Sequence, residues 1–115
     1  MANCHCRDCQ RTTGAAFSPV VIVRREAFRI ARGEPVTYES PTASGSTAHR
    51  AFCRDCGSQL FAWSDATQQF LGVKAGTLDD PSWFRPTIEV WTASAQPWAH
   101  LRPDTIKFER NPTRE

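Results

Sequence analysis

All five cysteines of the chain fall in two short clusters. Cys4, Cys6 and Cys9 form a C-x-C-x-x-C pattern near the beginning, and Cys53 and Cys56 form a C-x-x-C pattern that a glycine follows. Thiolates held this close together repel one another unless a cation neutralises them, and zinc does so with Zn–S bonds of about 2.3 Å. The spacing therefore predicts a zinc protein, with all five cysteines as candidate metal ligands.

Disulfide bonds explain the two clusters less well than a metal does. Five cysteines leave one unpaired, and residues 1–3 lead into the first thiols without the apolar stretch of a secretory signal. Thiols in a reducing compartment stay available for metals. We therefore expect a cytoplasmic protein.

Composition narrows the classes of partner. The 115 residues carry 14 Lys and Arg against 12 Asp and Glu, so no strong field favours nucleic acid. The longest apolar runs, of which residues 20–23 are one, are too short to cross a membrane. The length suits one domain, which we place at residues 1–110 with a frayed polar tail at 111–115. Neither nucleic acid nor a membrane is therefore expected as a partner.

The elements that must position the cysteines are mainly β-strands. Patterns of β-branched and alternating residues predict strands at 15–23, 28–30, 36–39, 48–52, 59–63, 70–74 and 87–91. A polar loop is expected at 40–47, and a short helical piece at 82–84. The strand at 48–52 leads directly into Cys53, which predicts that the second cluster lies at a strand end.

Several stretches, in this order along the chain, resemble one family. They are residues 3–11, which contain the triplet, and then 14–17, 52–61, 76–81 and 91–98. They are similar to the CENP-V/GFA domain of the glutathione-dependent formaldehyde-activating enzymes. The resemblance implies an Mss4-like β-tent of antiparallel sheets with zinc knuckles at strand ends, here N-terminally shortened.

The resemblance also implies a function. Cys4, Cys6 and Cys9 would be the ligands of a catalytic zinc whose fourth position is open, and glutathione would be the cosubstrate. Zinc with three thiolates carries a net charge of −1, so it suits a substrate thiol better than it suits water activation. The expected enzyme is a carbon–sulfur lyase that joins a thiol and an aldehyde, as in S-(hydroxymethyl)glutathione synthesis.

Arginines flank both clusters. Arg7, Arg11 and Arg54, together with Arg50, are candidates to bind the two carboxylates of a glutathione-like molecule. The alternative is that each is a solvated surface residue. His5, between two thiols, is expected to make an outer hydrogen bond rather than to bind the metal.

The second cluster departs from the family pattern. In the family, a C-x-C-G knuckle ahead of the triplet supplies the other half of a structural zinc site, and these 115 residues lack it. Cys53 and Cys56 alone offer two donors where such a zinc takes four. The second site is then empty, or it borrows donors such as His49 or a partner chain's groups.

A third arrangement uses one ion only. The ligand spacing of a zinc ribbon is matched by Cys6, Cys9, Cys53 and Cys56. In that arrangement the four cysteines fill the coordination of a structural zinc, and the protein is a non-catalytic scaffold or binding module. One or two zinc ions are therefore expected.

Two explanations of the missing knuckle stay open: a shortened chain, or a true start upstream of Met1. A shortened tent exposes a sheet edge, and native proteins cover or pair such edges, which predicts a homodimer.

Overall fold

The computed structural model describes residues 1–112, and the fold is mainly β. Its strands are β1 (Ala2–Cys4), β2 (Ser18–Arg24), β3 (Val36–Pro41), β4 (Thr47–Phe52), β5 (Gln59–Ser64), β6 (Phe70–Lys74), β7 (Ile88–Val90) and β8 (Ile106–Lys107). The strand order is β3-β4-β5-β6-β2-β1-β7-β8 in a mixed sheet. The predicted mainly β class is confirmed.

Helical structure is sparse in the described part of the chain. It comprises one α-helix, α1 (Arg7–Thr13), and single 3-10 turns at 25–27, 65–67, 75–77, 81–83 and 92–94. None of these helices has the length and apolar character that crossing a bilayer requires. The contacts divide the chain into a first unit, Met1–Val21 with the residues from Asp80 onward, and a second unit, Ile22–Asp79.

In the first unit, β1 is held on both sides. It pairs antiparallel with β2, where Asn3 lies opposite Pro19, and parallel with β7, where Asn3 lies opposite Glu89. β7 continues in parallel to β8. Backbone hydrogen bonds on both edges fix the path of a strand, so β1 delivers Cys4 and the residues after it in a defined direction.

The second unit is an antiparallel meander of β3, β4, β5 and β6. Because side chains alternate across a strand, Ala51, Phe61 and Leu71 meet on one face and form the core cluster, against which Phe28 packs. A register shift between Ala51 and Phe52 ends the regular pairing just ahead of the second cysteine cluster. The predicted pairing of 59–63 with 70–74 is confirmed.

One predicted strand is wrong, and the predicted domain and tail are not tested by the structure. Residues 28–30, predicted as a strand, lie outside the sheet, because the N–H of Phe28 closes a turn on the carbonyl of Arg25. The single domain at 1–110 stays a prediction. Of the predicted tail, residues 113–115 lie outside the described residues, and Asn111 Oδ1 accepts a hydrogen bond from Trp91 Nε1 at 2.9 Å.

Candidate metal centre

The triplet sits where β1 turns into α1. Cys4 ends the strand, Cys6 is the N-cap of the helix, and Cys9 lies in its first turn. Sγ of Cys6 accepts a hydrogen bond from the backbone N–H of Cys9 at 3.3 Å, which satisfies one of the free donors at the start of the helix. Gly14, with φ of 67°, ends the helix. The turn from strand to short helix thus gathers three thiols that are spread over six residues.

The thiols are close enough to share one ion. The sulfur atoms of Cys4, Cys6 and Cys9 all lie within 4.8 Å of one another. Two thiolates on a tetrahedral zinc with 2.3 Å bonds are about 3.8 Å apart, so small side-chain adjustments would accommodate the metal. Cys9 is buried, while Cys4 and Cys6 are half-buried. The donor set fits a thiophilic ion such as zinc, with access retained at Cys4 and Cys6.

The electrostatics of the triplet favour a cation. Hydrogen bonds that the Cys4 thiol donates to Cys6 and Cys9, together with burial, raise the pKa of Cys4 far above its ordinary value. For Cys6, the hydrogen bond that it accepts from Cys4 lowers the pKa, but the hydrogen bond that its thiol donates to Cys9 and its burial outweigh this effect, so its pKa is also raised. Crowded thiols cannot all ionise by themselves, whereas a divalent cation replaces their protons. Metal binding here must therefore release protons.

Behind the triplet lies a polar pair that the sequence did not reveal. His5 and Glu89 are both fully buried, and Nε2 of His5 lies 2.9 Å from Oε1 of Glu89. This agrees with the expectation that His5 makes an outer hydrogen bond. Glu89 is 84 residues away in sequence, and only the parallel register of β1 and β7 brings it here.

Gln10 is a second residue that sequence reasoning missed. Its Nε2 donates to the carbonyl of His5 at 2.7 Å and to that of Ser94 at 3.0 Å, and its Oε1 accepts from Gln96 at 3.0 Å. One buried amide thereby connects α1, the residue between two thiols, and the loop after β7. A polar residue one position after a cysteine gave no signal of this role.

The arginines predicted to bind glutathione occupy different settings. Arg7 and Arg11 are exposed on α1, next to the thiols, where Arg7 Nη1 donates to Gln10 and Arg11 lies 3.8 Å from Asp8. Arg54 is exposed in the second unit and donates from Nε to the carbonyl of Glu34 at 2.9 Å. These positions place two of the three predicted arginines beside the triplet, and their substrate contacts stay predictions.

Arg50, the other arginine considered, is buried in the second unit. Its Nη1 donates to Ser40 Oγ at 3.0 Å, and its Nε has no hydrogen-bond partner among the described residues.

The second cluster forms a tight turn in the second unit. The N–H of Cys53 donates to the carbonyl of Ser58, and the N–H of Gly57 donates to the carbonyl of Cys53. Cys56 is exposed, and its pKa is lowered by hydrogen bonds from the Ser58 side chain and backbone and from Cys53. The turn presents two thiols together, and their role as metal ligands stays a prediction, as does the ribbon arrangement.

A pocket of about 720 Å³ adjoins this turn within the second unit. Apolar side chains of Phe28, Leu60 and Phe61 line it, together with Cys53 and Arg54.

Comparison with known proteins decides the family. Residues 1–94 match the family described as Glutathione-dependent formaldehyde-activating enzyme. The chain belongs to this family. In this GFA-family chain, the matched residues include both cysteine clusters, α1, the buried pair of His5 and Glu89, and the strands β1 to β7. The resemblance stated from the sequence is confirmed.

Proposed function

We propose that this GFA-family chain makes or cleaves a carbon–sulfur bond in the adduct of a small thiol and an aldehyde, with glutathione and formaldehyde as the first pair to test. The observation that carries the proposal is the three-thiol cluster of Cys4, Cys6 and Cys9, whose sulfur atoms lie within 4.8 Å of one another inside the segment that matches the family. The half-burial of Cys4 and Cys6 supports access by a ligand.

Zinc held by the three thiolates would supply a position where a substrate thiol binds in its ionised, nucleophilic form near neutral pH. In the forward reaction the substrate sulfur donates an electron pair to the carbonyl carbon, and the carbon–sulfur bond forms. The carbonyl π pair moves to oxygen, which takes up one proton from water to give the hydroxymethyl thioether, and this balances the proton that the substrate thiol released when it ionised. The reverse reaction returns that proton and releases thiol and aldehyde.

The residues of the chain would bind and orient the thiol. Arg7 and Arg11 are exposed on the helix that carries Cys9, and they would receive the carboxylates of a glutathione-like substrate. The contact of Arg11 with Asp8 is an exposed pair of 3.8 Å, which is weak and can be exchanged for a substrate carboxylate. Arg54 is a third proposed contact.

A rate measurement tests the proposal. Zinc-loaded protein should accelerate the exchange between glutathione, formaldehyde and their adduct above the spontaneous rate, as followed by NMR exchange spectroscopy with labelled formaldehyde. Cys4→Ser should remove the acceleration, and the exposed loop variant Ser44→Ala should retain it. Exchange at the spontaneous rate, with zinc bound and the fold intact, would reject this pair of substrates and favour the scaffold function.

Two further parts of the sequence prediction stand as proposals. A cytoplasmic location fits the cysteine thiols of both clusters, because the cytoplasm keeps thiols reduced. A homodimer would pair an edge of the sheet, and β3 is one end of the strand order. Sedimentation equilibrium of the full chain measures the second.

A further inference from the structure

The residue between Cys4 and Cys6, His5, forms a buried pair with Glu89. Both side chains have 0% exposure, and the contact between Nε2 and Oε1 is 2.9 Å. A carboxylate and an imidazole buried this deeply cost considerable solvation energy, and an apolar pair of similar shape often serves stability as well or better. Stability alone is therefore a weak explanation for the pair.

The carboxylate of Glu89 is fixed in place from its other side. Oε2 accepts hydrogen bonds from Thr105 Oγ1 at 2.7 Å and from the backbone N–H of Arg102 at 3.0 Å. With Nε2 of His5 on Oε1, three donors converge on one carboxylate. Such a group is a rigid anchor because it cannot rotate without losing a charge-assisted bond.

The ring of His5, by contrast, has one polar anchor. Its Nδ1 is buried and has no hydrogen-bond partner among the described residues, and its remaining neighbour of note is the ring of Phe17 at a centroid distance of 5.1 Å. The orientation of the ring therefore depends on Glu89. His5 is joined by peptide bonds to Cys4 and Cys6. If a change in the position of its side chain shifts its backbone, both neighbouring thiols therefore move with it.

We propose that Glu89 is a positioning residue for the metal centre, acting through His5 to hold Cys4 and Cys6 in the geometry that a zinc ion needs. The inference rests on the metal centre of the proposed function, but it does not require the carbon–sulfur reaction. The backbone N–H of His5 donates to the carbonyl of Val90, and its carbonyl accepts from Gln10. The hydrogen bond with Glu89 fixes the side chain of the same residue. A partner that bonds a metal ligand directly typically changes metal affinity by about 10- to 100-fold, and Glu89 acts through one further residue, so an effect at the lower end of this range is expected.

The test measures metal binding rather than turnover. In Glu89→Gln, which conserves volume, zinc should bind about 10-fold more weakly in competition with a chromophoric chelator, and the sulfur-to-cobalt charge-transfer bands of the Co²⁺ form should shift in energy or intensity. Leu71→Ala is the control, because it destabilises the core of the second unit and should leave both readouts unchanged.

The outcomes separate positioning from a merely structural role. A Glu89→Gln protein with zinc affinity within about threefold of the original and unchanged cobalt bands would overturn the proposal, as would an equal loss of affinity in Leu71→Ala. If Glu89→Gln does not fold, Thr105→Val decides, since it removes one bond to the anchor and keeps its charge. Weaker zinc binding is then expected, and unchanged binding would refute the role. A failure of the glutathione assay with these metal results intact would reject only the proposed reaction.

Discussion

The backbone N–H of Cys9 donates to the sulfur of Cys6 over 3.3 Å, so one thiol both begins α1 and belongs to the candidate metal centre. Serine is a good N-cap and a poor zinc ligand, whereas alanine is neither. The two roles can therefore be separated by substitution at a single position.

We expect Cys6→Ser and Cys6→Ala to lose zinc affinity alike but to differ in metal-free stability. The serine variant would keep the cap, while the alanine variant should be less stable by about 1 kcal/mol in urea unfolding. Chelator competition measures the first effect on the same preparations. Identical metal-free stability of the two variants would show that the bond from Cys9 contributes nothing to the helix.

Replacing Cys4 distinguishes the open triplet from the closed ribbon. In the triplet Cys4 is a ligand, so Cys4→Ser should weaken zinc binding by more than roughly 100-fold, since the loss of an outer-shell partner already costs about 10- to 100-fold. In the ribbon Cys4 is spare and Cys53 is required. Cys53→Ser is thus the matched variant.

The decisive result is which of the two variants, Cys4→Ser or Cys53→Ser, loses more affinity for the most tightly bound zinc ion. If Cys4→Ser binds like the unmodified protein while Cys53→Ser loses the ion, the ribbon is correct and the carbon–sulfur reaction has no open metal position. Zinc content per chain, measured by elemental analysis, reports separately whether Cys53 and Cys56 hold a second ion.

The sequence allowed the three clustered thiols to be predicted, but not the buried residues that contact the segment carrying them. Cysteine spacing is a local signal, so Cys4, Cys6 and Cys9 could be identified as candidate ligands without a fold, and the patterns at 59–63 and 70–74 predicted the pairing of β5 with β6. Glu89 gave no signal, because its contact with His5 depends on the parallel register of β1 and β7 across 84 residues. No single-sequence pattern specifies that register.

The helix α1 was missed for a different physical reason. Residues 7–13 lack an apolar face with helical period, and the helix exists because a thiol caps one end and Gly14 takes a left-handed conformation at the other. In the opposite direction, residues 28–30 alternate like a strand but close a turn instead. Local capping and turn bonds overrode periodicity in both cases.

Glu89 should make the stability of the metal-free protein depend on pH. Burial alone would raise its pKa, but the hydrogen bonds from Thr105 and His5 outweigh this, and its pKa lies below the ordinary 4.5. The folded state thus binds this proton more weakly than the unfolded state does. The stabilisation is complete above about pH 4.5 and is lost as pH falls through the lower, folded value.

Urea unfolding at pH values from 7 down to 3 measures this effect. The free energy of unfolding should fall more steeply below pH 4.5 in the unmodified protein than in Glu89→Gln, because the other carboxylates are common to both. Parallel curves for the two proteins would mean that the buried pair does not favour the ionised carboxylate.

Replacing Gly14 should destabilise α1 without weakening metal binding. Its φ of +67° is a conformation that costs an L-residue about 1–2 kcal/mol, and a Cβ there would meet no atom within 4 Å, so the cost in Gly14→Ala is that of the backbone alone. Gly76 is a matched control with equally open surroundings and no positive φ, where alanine should be neutral or slightly stabilising.

Because Cys9 lies in the first turn of α1 and Gly14 follows the last turn, zinc affinity should change less than about threefold in Gly14→Ala. This is well below the effect expected from the loss of an outer-shell partner. A large loss of zinc affinity, measured at a temperature where both proteins are fully folded, would instead show that the whole helix, and not only its first turn, determines the position of the Cys9 thiol.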